Sequence, residues 1–155
     1  MRARDAGVTL VEVLVVLVLI GVMAGAVGLS LGPVDRGDTL EREVTLLAAR
    51  LNRAADETLL TGDAVAFVWD AGGYRFEVLR GADWQPHPVA LLAATHATPG
   101  ARPSGPDGAA EGRFVVDGDL LPVTGVPLTL SLRADNGLET QIRFDGVNAV
   151  RVDPP

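Results

Sequence analysis

The stretch GVTLVEVLVV, residues 7–16, opens an apolar run that continues to Leu31 and contains a single charge, that of Glu12. Segment 8–31 has 24 residues and as an α-helix would span roughly 36 Å, at about 1.5 Å per residue. The hydrocarbon core of a bilayer is about 30 Å thick, so this segment is long enough to cross it with some tilt. We therefore predict a transmembrane helix over residues 8–31. The carboxylate inside it requires an explanation.

The leader ahead of this helix, MRARDAG (residues 1–7), contains Arg2 and Arg4. Basic residues that flank a membrane segment tend to stay on the cytoplasmic side. The N-terminus is therefore expected in the cytoplasm and the C-terminal part of the chain in the periplasm. These features predict a single-pass inner-membrane protein whose head, residues 34–155, is periplasmic.

Two simpler interpretations of the apolar run remain open. A secretory signal peptide would combine the basic start and an apolar stretch with cleavage at the A-x-A triplet of residues 24–26. Signal-peptide cores are only about 7–15 residues long, however, and have no use for a buried acid. A plain membrane anchor meets the same objection, because an acid near the helix centre costs about 2.5–3.5 kcal/mol on insertion.

The order of residues around the acid offers a third interpretation. Gly7, a hydrophobic Val8, Thr-Leu, an aliphatic residue and Glu12 follow one another and open the apolar run. This order resembles the processing site of type IV pilins and pseudopilins, although that family most often has Phe where Val8 stands. The resemblance implies that prepilin peptidase removes residues 1–7 by cutting after Gly7 and methylates the new amine of Val8. Glu12 then lies near the mature N-terminus.

The position of the acid has a physical rationale after such a cut. Cleavage creates a cationic amine at Val8, four residues before Glu12, and a methylated amine remains cationic. The positive end of the helix dipole adds about 0.3–1 kcal/mol for a carboxylate in the first turn. If subunits pack with parallel helices, Glu12 can instead pair with the amine of a neighbour and favour one axial register. Glu12 is therefore predicted to be an assembly residue.

The remainder of the chain has the pattern of one amphipathic helix followed by strands. Gly32-Pro33 is expected to kink or end the first helix, and a second helix is predicted over residues 38–61. In this second helix we expect Asp38 to be the N-cap and Gly62 the C-terminal stop. Its predicted buried face is Leu40, Val44, Leu47, Leu51, Ala55 and Thr58 or Leu59.

Segment 64–152 is predicted to be rich in β-structure. Alternating and β-branched runs predict a hairpin (64–70 and 74–80), a strand (113–116) and a three-stranded meander (127–133, 138–144 and 147–152). The Pro- and Gly-rich segment 97–112 is interpreted as an exposed loop. The predicted fold class is α+β: a long N-terminal helix, membrane half plus amphipathic half, packed on an antiparallel β-sheet head, as in pilins.

Composition gives little support for catalysis, cofactors or nucleic-acid binding. The formal net charge is −7, all 13 basic residues are Arg, and cysteine is absent. No catalytic or phosphate-binding motif is present, so the chain is not expected to be an enzyme or to hold a cofactor or metal. His87 and His96 are interpreted as plain surface or loop residues, Trp69 and Trp84 as packing residues. Asp117 and Asp119 are assigned to a turn.

The head offers a finer resemblance within the pilin-like family. ARLNRAADETLLTGDAVAF and YRFEVLRGADWQP, with Tyr74, Phe76, Trp84 and Pro86, resemble the minor pseudopilin H group of type II secretion systems. This resemblance implies a structural subunit of a periplasmic pseudopilus that helps to export folded proteins. The implied partners are other pseudopilins, prepilin peptidase, the inner-membrane assembly platform and, through residues 8–31, the membrane. A minor pilin of a type IV pilus is the alternative, followed by a membrane-anchored periplasmic binding protein or enzyme.

Overall fold

A computed structural model describes residues 10–30, 36–98 and 100–152 of the chain. The chain divides into two compact units, Met1–Asp35 and Arg36–Pro155. In the first unit, helix α1 occupies Leu10–Ser30, within the segment predicted to be helical. Among the described residues, no helix is both long enough and apolar enough to cross a membrane. The predicted helix end at Gly32-Pro33 and the leader, residues 1–7, lie outside the described residues.

The second unit begins with the amphipathic helix α2, Arg36–Thr61. The helical backbone starts two residues before Asp38, so Asp38 lies inside the first turn and the prediction that it is the N-cap was wrong. Gly62 ends the helix as predicted, since it has φ +72° and donates its N–H to the Thr58 carbonyl at 2.8 Å. The buried face consists of Leu40, Val44, Leu47, Leu51, Ala54, Ala55 and Thr58.

Leu59 does not belong to this face, because 70% of it is exposed whereas only 2% of Thr58 is. Consecutive helical residues point about 100° apart, and at this turn the buried face includes Thr58 but not Leu59. Thr58 takes that position, and the alternative with Leu59 was wrong.

Within the described residues, eight strands, numbered β1 to β8 along the chain, form two antiparallel four-stranded sheets with orders β3-β2-β1-β5 and β4-β6-β7-β8. The first sheet contains β1 (Val65–Asp70), β2 (Gly73–Arg80), β3 (Asp83–Pro86) and β5 (Gly112–Val116). The second contains β4 (Ala101–Ser104), β6 (Leu128–Ala134), β7 (Glu139–Phe144) and β8 (Ala149–Val152). A short helix, α3, occupies Ala90–Ala93. The predicted hairpin, the strand at 113–116 and the meander are all confirmed.

The segment predicted to be an exposed loop, residues 97–112, contains a strand instead. Its strand β4 pairs with β6, and Ala101 lies opposite Ala134 with only 2% of Ala101 exposed. Pro103 is tolerated because β4 is an edge strand of its sheet. The loop interpretation was therefore wrong for residues 101–104, and the short elements β3 and α3 were not predicted.

Both histidines are more buried than predicted. Only 4% of His87 is exposed, and its Nδ1 accepts the Val89 N–H at 3.1 Å. His96 Nε2 lies 2.8 Å from Glu43 Oε2, and its backbone exchanges two hydrogen bonds with Tyr74. Both lie between regular elements, as the loop interpretation predicted, but a surface position was wrong for His87, which is buried, while His96 is partly buried.

The two tryptophans and the acidic turn follow the prediction. Trp69 is buried, and its Nε1 donates to the Ala109 carbonyl at 3.1 Å. Trp84 lies on the edge strand β3 beneath the Arg113 guanidinium, which is 5.0 Å from the ring centroid. Asp117 Oδ1 accepts the N–H groups of Asp119 and Leu121 at 3.0 and 2.9 Å, which is the local bonding expected of a turn aspartate.

Replacing Gly112 by Val should destabilise the head, because a Cβ at this position would overlap the buried ring of Trp69. Overpacking of this kind costs about 1–3 kcal/mol. Thermal unfolding of the full chain in detergent, followed by near-ultraviolet circular dichroism, measures the loss. Ala110→Val is the control, since Ala110 is exposed and should change stability by less than about 0.5 kcal/mol. Equal unfolding midpoints for both variants would contradict the tight contact.

Acidification should weaken the head through His87. Burial lowers the pKa of the folded His87 imidazole from 6.5, and nearby Glu57 opposes this only in part. As the pH falls below 6.5, unfolded His87 gains a proton that folded His87 resists, so the free energy of unfolding decreases. His87→Asn, which keeps an acceptor for the Val89 N–H, should lose less stability between about pH 7.5 and about pH 5.5. Thermal midpoints at both pH values test this, and equal losses in the two proteins would contradict it.

Candidate processing and assembly site

The predicted site residues belong to the first unit. Gly7 and Val8 lie outside the described residues, so their predicted roles stay predictions. Glu12 lies in the first turn of α1 and is exposed. Its carboxylate is therefore near the positive end of the helix dipole, as the sequence predicts.

The surface of α1 is apolar on every described side. From Val11 to Met23, each large apolar side chain is between 49% and 67% exposed, which is far from the one-sided burial seen in α2. A helix that is hydrophobic all round is stable when protein or lipid covers it completely. The exposed apolar side chains of α1 therefore need contact with lipid or with other protein.

Glu12 is placed within this apolar surface. Its side chain lines a shallow groove together with Val13, Val16 and Leu17, which are its neighbours along the helix. Once a lipid or a neighbouring helix covers such a groove, the local dielectric constant falls and an ionised carboxylate interacts more strongly with a nearby cation. The arrangement therefore suits recognition of a positive group inside an apolar contact.

In the head, the most buried polar cluster joins α2 to β2 and to the segment after α3. Arg50 and Glu43 of α2 are each 9% exposed, and the Arg50 guanidinium carbon lies 5.5 Å from the centroid of the Tyr74 ring. Burial raises the pKa of the Tyr74 phenol to about 12, so this phenol is neutral at physiological pH. Together with the His96–Glu43 bond, the cluster fastens the 94–98 segment to the helix.

Local sequence patterns do not reveal this cluster, because Glu43 and His96 are 53 residues apart. Among the described residues, no group of three or more His, Cys, Asp or Glu side chains is arranged to hold a metal ion.

Comparison with known proteins identifies the N-terminal segment. Residues 2–28 match the family model of the prokaryotic N-terminal methylation motif, and this segment contains Gly7, Val8 and Glu12. No curated protein and no solved structure matches the chain significantly. The α+β architecture, with an N-terminal helix and antiparallel sheets, is consistent with a pilin-like fold. The match covers residues 2–28 alone and indicates a prepilin-type N-terminus, which implies a membrane-anchored N-terminal segment, processing by prepilin peptidase and assembly with other pilins.

Proposed function

We propose that this protein is a structural minor subunit of a type II secretion pseudopilus, which helps to export folded proteins. Prepilin peptidase cuts after Gly7, and α1 then holds the subunit in the inner membrane with the head in the periplasm. An assembly platform in that membrane incorporates the subunit among other pseudopilins. The observation that carries this proposal is the methylation motif at residues 2–28, at the start of a helix whose described side chains are exposed and apolar.

We propose a structural role because of the kinds of feature that this chain carries. The motif and the exposed apolar helix are devices for processing and packing, and neither requires a cofactor. In the head, Glu43 and His96 bond to each other at 2.8 Å and stabilise the fold. We therefore assign the protein no enzymatic activity of its own.

The choice of a secretion pseudopilus rests on the head. The resemblance to the minor pseudopilin H group involves the Thr61-Gly62 helix end and the aromatic hairpin. In the structure, Gly62 ends α2, and Tyr74 and Phe76 are fully buried in β2. A minor pilin of a type IV pilus is the second candidate, because it would carry the same methylation motif. Deleting the gene in its native host separates the two: lost protein secretion with intact pili supports the pseudopilus, and the reverse supports the pilus.

The proposed role of Glu12 in assembly rests on the free-energy cost of its charge in an apolar environment. An apolar helix inserts more readily without an acid, because the acid costs about 2.5–3.5 kcal/mol near the helix centre. Retaining the acid is useful if a cation meets it in the assembled state. The methylated amine of Val8 in a neighbouring subunit supplies that cation, and the pair then fixes the axial register of the helices.

The first functional prediction concerns processing. The mature chain should begin at methylated Val8, and Gly7→Val should leave the precursor uncut but still in the membrane, because hydrophobicity alone decides insertion. Mass spectrometry of the purified subunit reads the N-terminus. Gly21→Val is the matched control, since a Cβ at Gly21 meets no atom within 4 Å and cleavage should be normal. A mature N-terminus at Val27, after the A-x-A triplet, would instead support a signal peptide.

The second functional prediction concerns Glu12. Glu12→Leu should insert and be cut as in the wild type, but should fail to enter the filament because the neighbouring amine loses its counter-charge. Secretion by a strain that carries only this variant, together with crosslinking to other subunits, measures assembly. Val13→Leu serves as the control, because Val13 is also exposed on the first turns of α1 and carries no charge. Wild-type secretion and crosslinking by Glu12→Leu would refute the assembly role.

A further inference from the structure

One end of the head exposes a set of large aliphatic side chains. They belong to the last turn of α2, to the connection between β5 and β6, and to the turn between β7 and β8. Between 47% and 78% of each side chain is exposed, and they are Leu59, Leu60, Leu121, Val123 and Val147. We call this set the apolar end of the head.

The three segments that carry these side chains touch one another through their backbones. Gly118 packs directly on the carbonyl of Gly62, and Gly146 packs directly on the carbonyl of Leu120, so that a Cβ at either glycine would overlap its neighbour. Asp117 also accepts two backbone N–H groups of its own connection, which fixes the path of this chain segment. These backbone contacts hold the three segments that carry the aliphatic side chains close to one another.

Negative charge accompanies the apolar end. Asp56 is exposed one turn before Leu59 and Leu60, and Asp119 is exposed beside Leu121. Hydrogen bonds from the backbone N–H groups of Asn148 and Val147 lower the pKa of Asp145, which keeps it ionised. Within the described part of the chain, none of these three aspartates has an ion-pair partner within 4.0 Å. Arg53 and Arg80 are paired with Glu57 and Asp63, and the charge of Arg143 is a lesser cause of the lowered pKa of Asp145.

We propose that the apolar end is a docking surface for a different protein, whose contact surface is aliphatic and carries Arg or Lys at its rim. Clustered, exposed aliphatic side chains with a polar rim are typical of protein interaction sites. The acids determine the kind of partner, because basic groups opposite Asp56 and Asp119 complement them. A second copy that presented the same end would place these acids against each other. This inference goes beyond the proposed function and holds for a pseudopilus or a pilus.

Photo-crosslinking of the full chain in its native host tests the proposal. The variants Leu60→p-benzoylphenylalanine and Leu121→p-benzoylphenylalanine should both give an adduct with one and the same protein. The crosslinked peptide of that protein should contain aliphatic residues and at least one Arg or Lys. Leu138→p-benzoylphenylalanine is the matched control and should not give this adduct, because Leu138 is 52% exposed but lies on the β6–β7 turn, at the opposite end of these strands.

A charge reversal tests the choice of partner independently. Asp119→Arg in the Leu121 crosslinking variant should reduce the adduct by on the order of fivefold or more, because it opposes a basic rim. Asp135→Arg, on the β6–β7 turn, should leave the adduct unchanged, and equal protein levels and protease resistance show that both variants are folded. An adduct only with another copy of the chain, no adduct from positions 60 and 121, an equal adduct from position 138, or an adduct insensitive to Asp119→Arg would each overturn the proposal.

Discussion

The buried face of α2 is the contact on which the rest of the head depends. Strands of both sheets pack against this helix, including β1 and β4 as well as β6, β7 and β8. Leu47 and Leu51 are completely buried in that contact, and truncating such a leucine typically costs about 2–5 kcal/mol. A polar contact also fixes the alignment of α2 with β8, because the Asn52 side chain accepts the N–H of Ala149 at 2.7 Å. The helix thereby joins two sheets whose strands are short.

Much of this arrangement can be read from the sequence because its determinants are local. The 3.6-residue period of the apolar residues in α2 and the glycine at its end predict the helix, and alternating patterns around tight turns predict β1–β2 and β6–β8. Such patterns do not predict β4, since its ARPS sequence has no strand pattern and its conformation depends on pairing with β6. The burial of His87 and His96 is likewise decided by elements that are distant in sequence.

The candidate site shows the same contrast. The roles of Gly7, Val8 and Glu12 can be predicted without a structure because the motif is a short linear segment, here residues 2–28. The apolar end of the head is different, since Leu60, Leu121 and Val147 come from separate segments that only the fold brings together. Each of these side chains alone is ordinary, because single exposed aliphatic residues are common on protein surfaces. Their grouping beside unpaired acids is what the sequence does not reveal.

The two units differ in how far their described apolar side chains are buried. Every residue of the described hydrophobic core lies between Leu40 and Ala149, within the second unit. The large apolar side chains of α1 from Val11 to Met23 are exposed, and a bilayer and a bundle of like helices are two environments that cover such a surface. A bilayer covers aliphatic groups but disfavours the Glu12 carboxylate. Under the proposed assembly role of Glu12, a bundle that also presents a cationic amine would cover both, and this difference in free energy would favour transfer of the helix from membrane to filament.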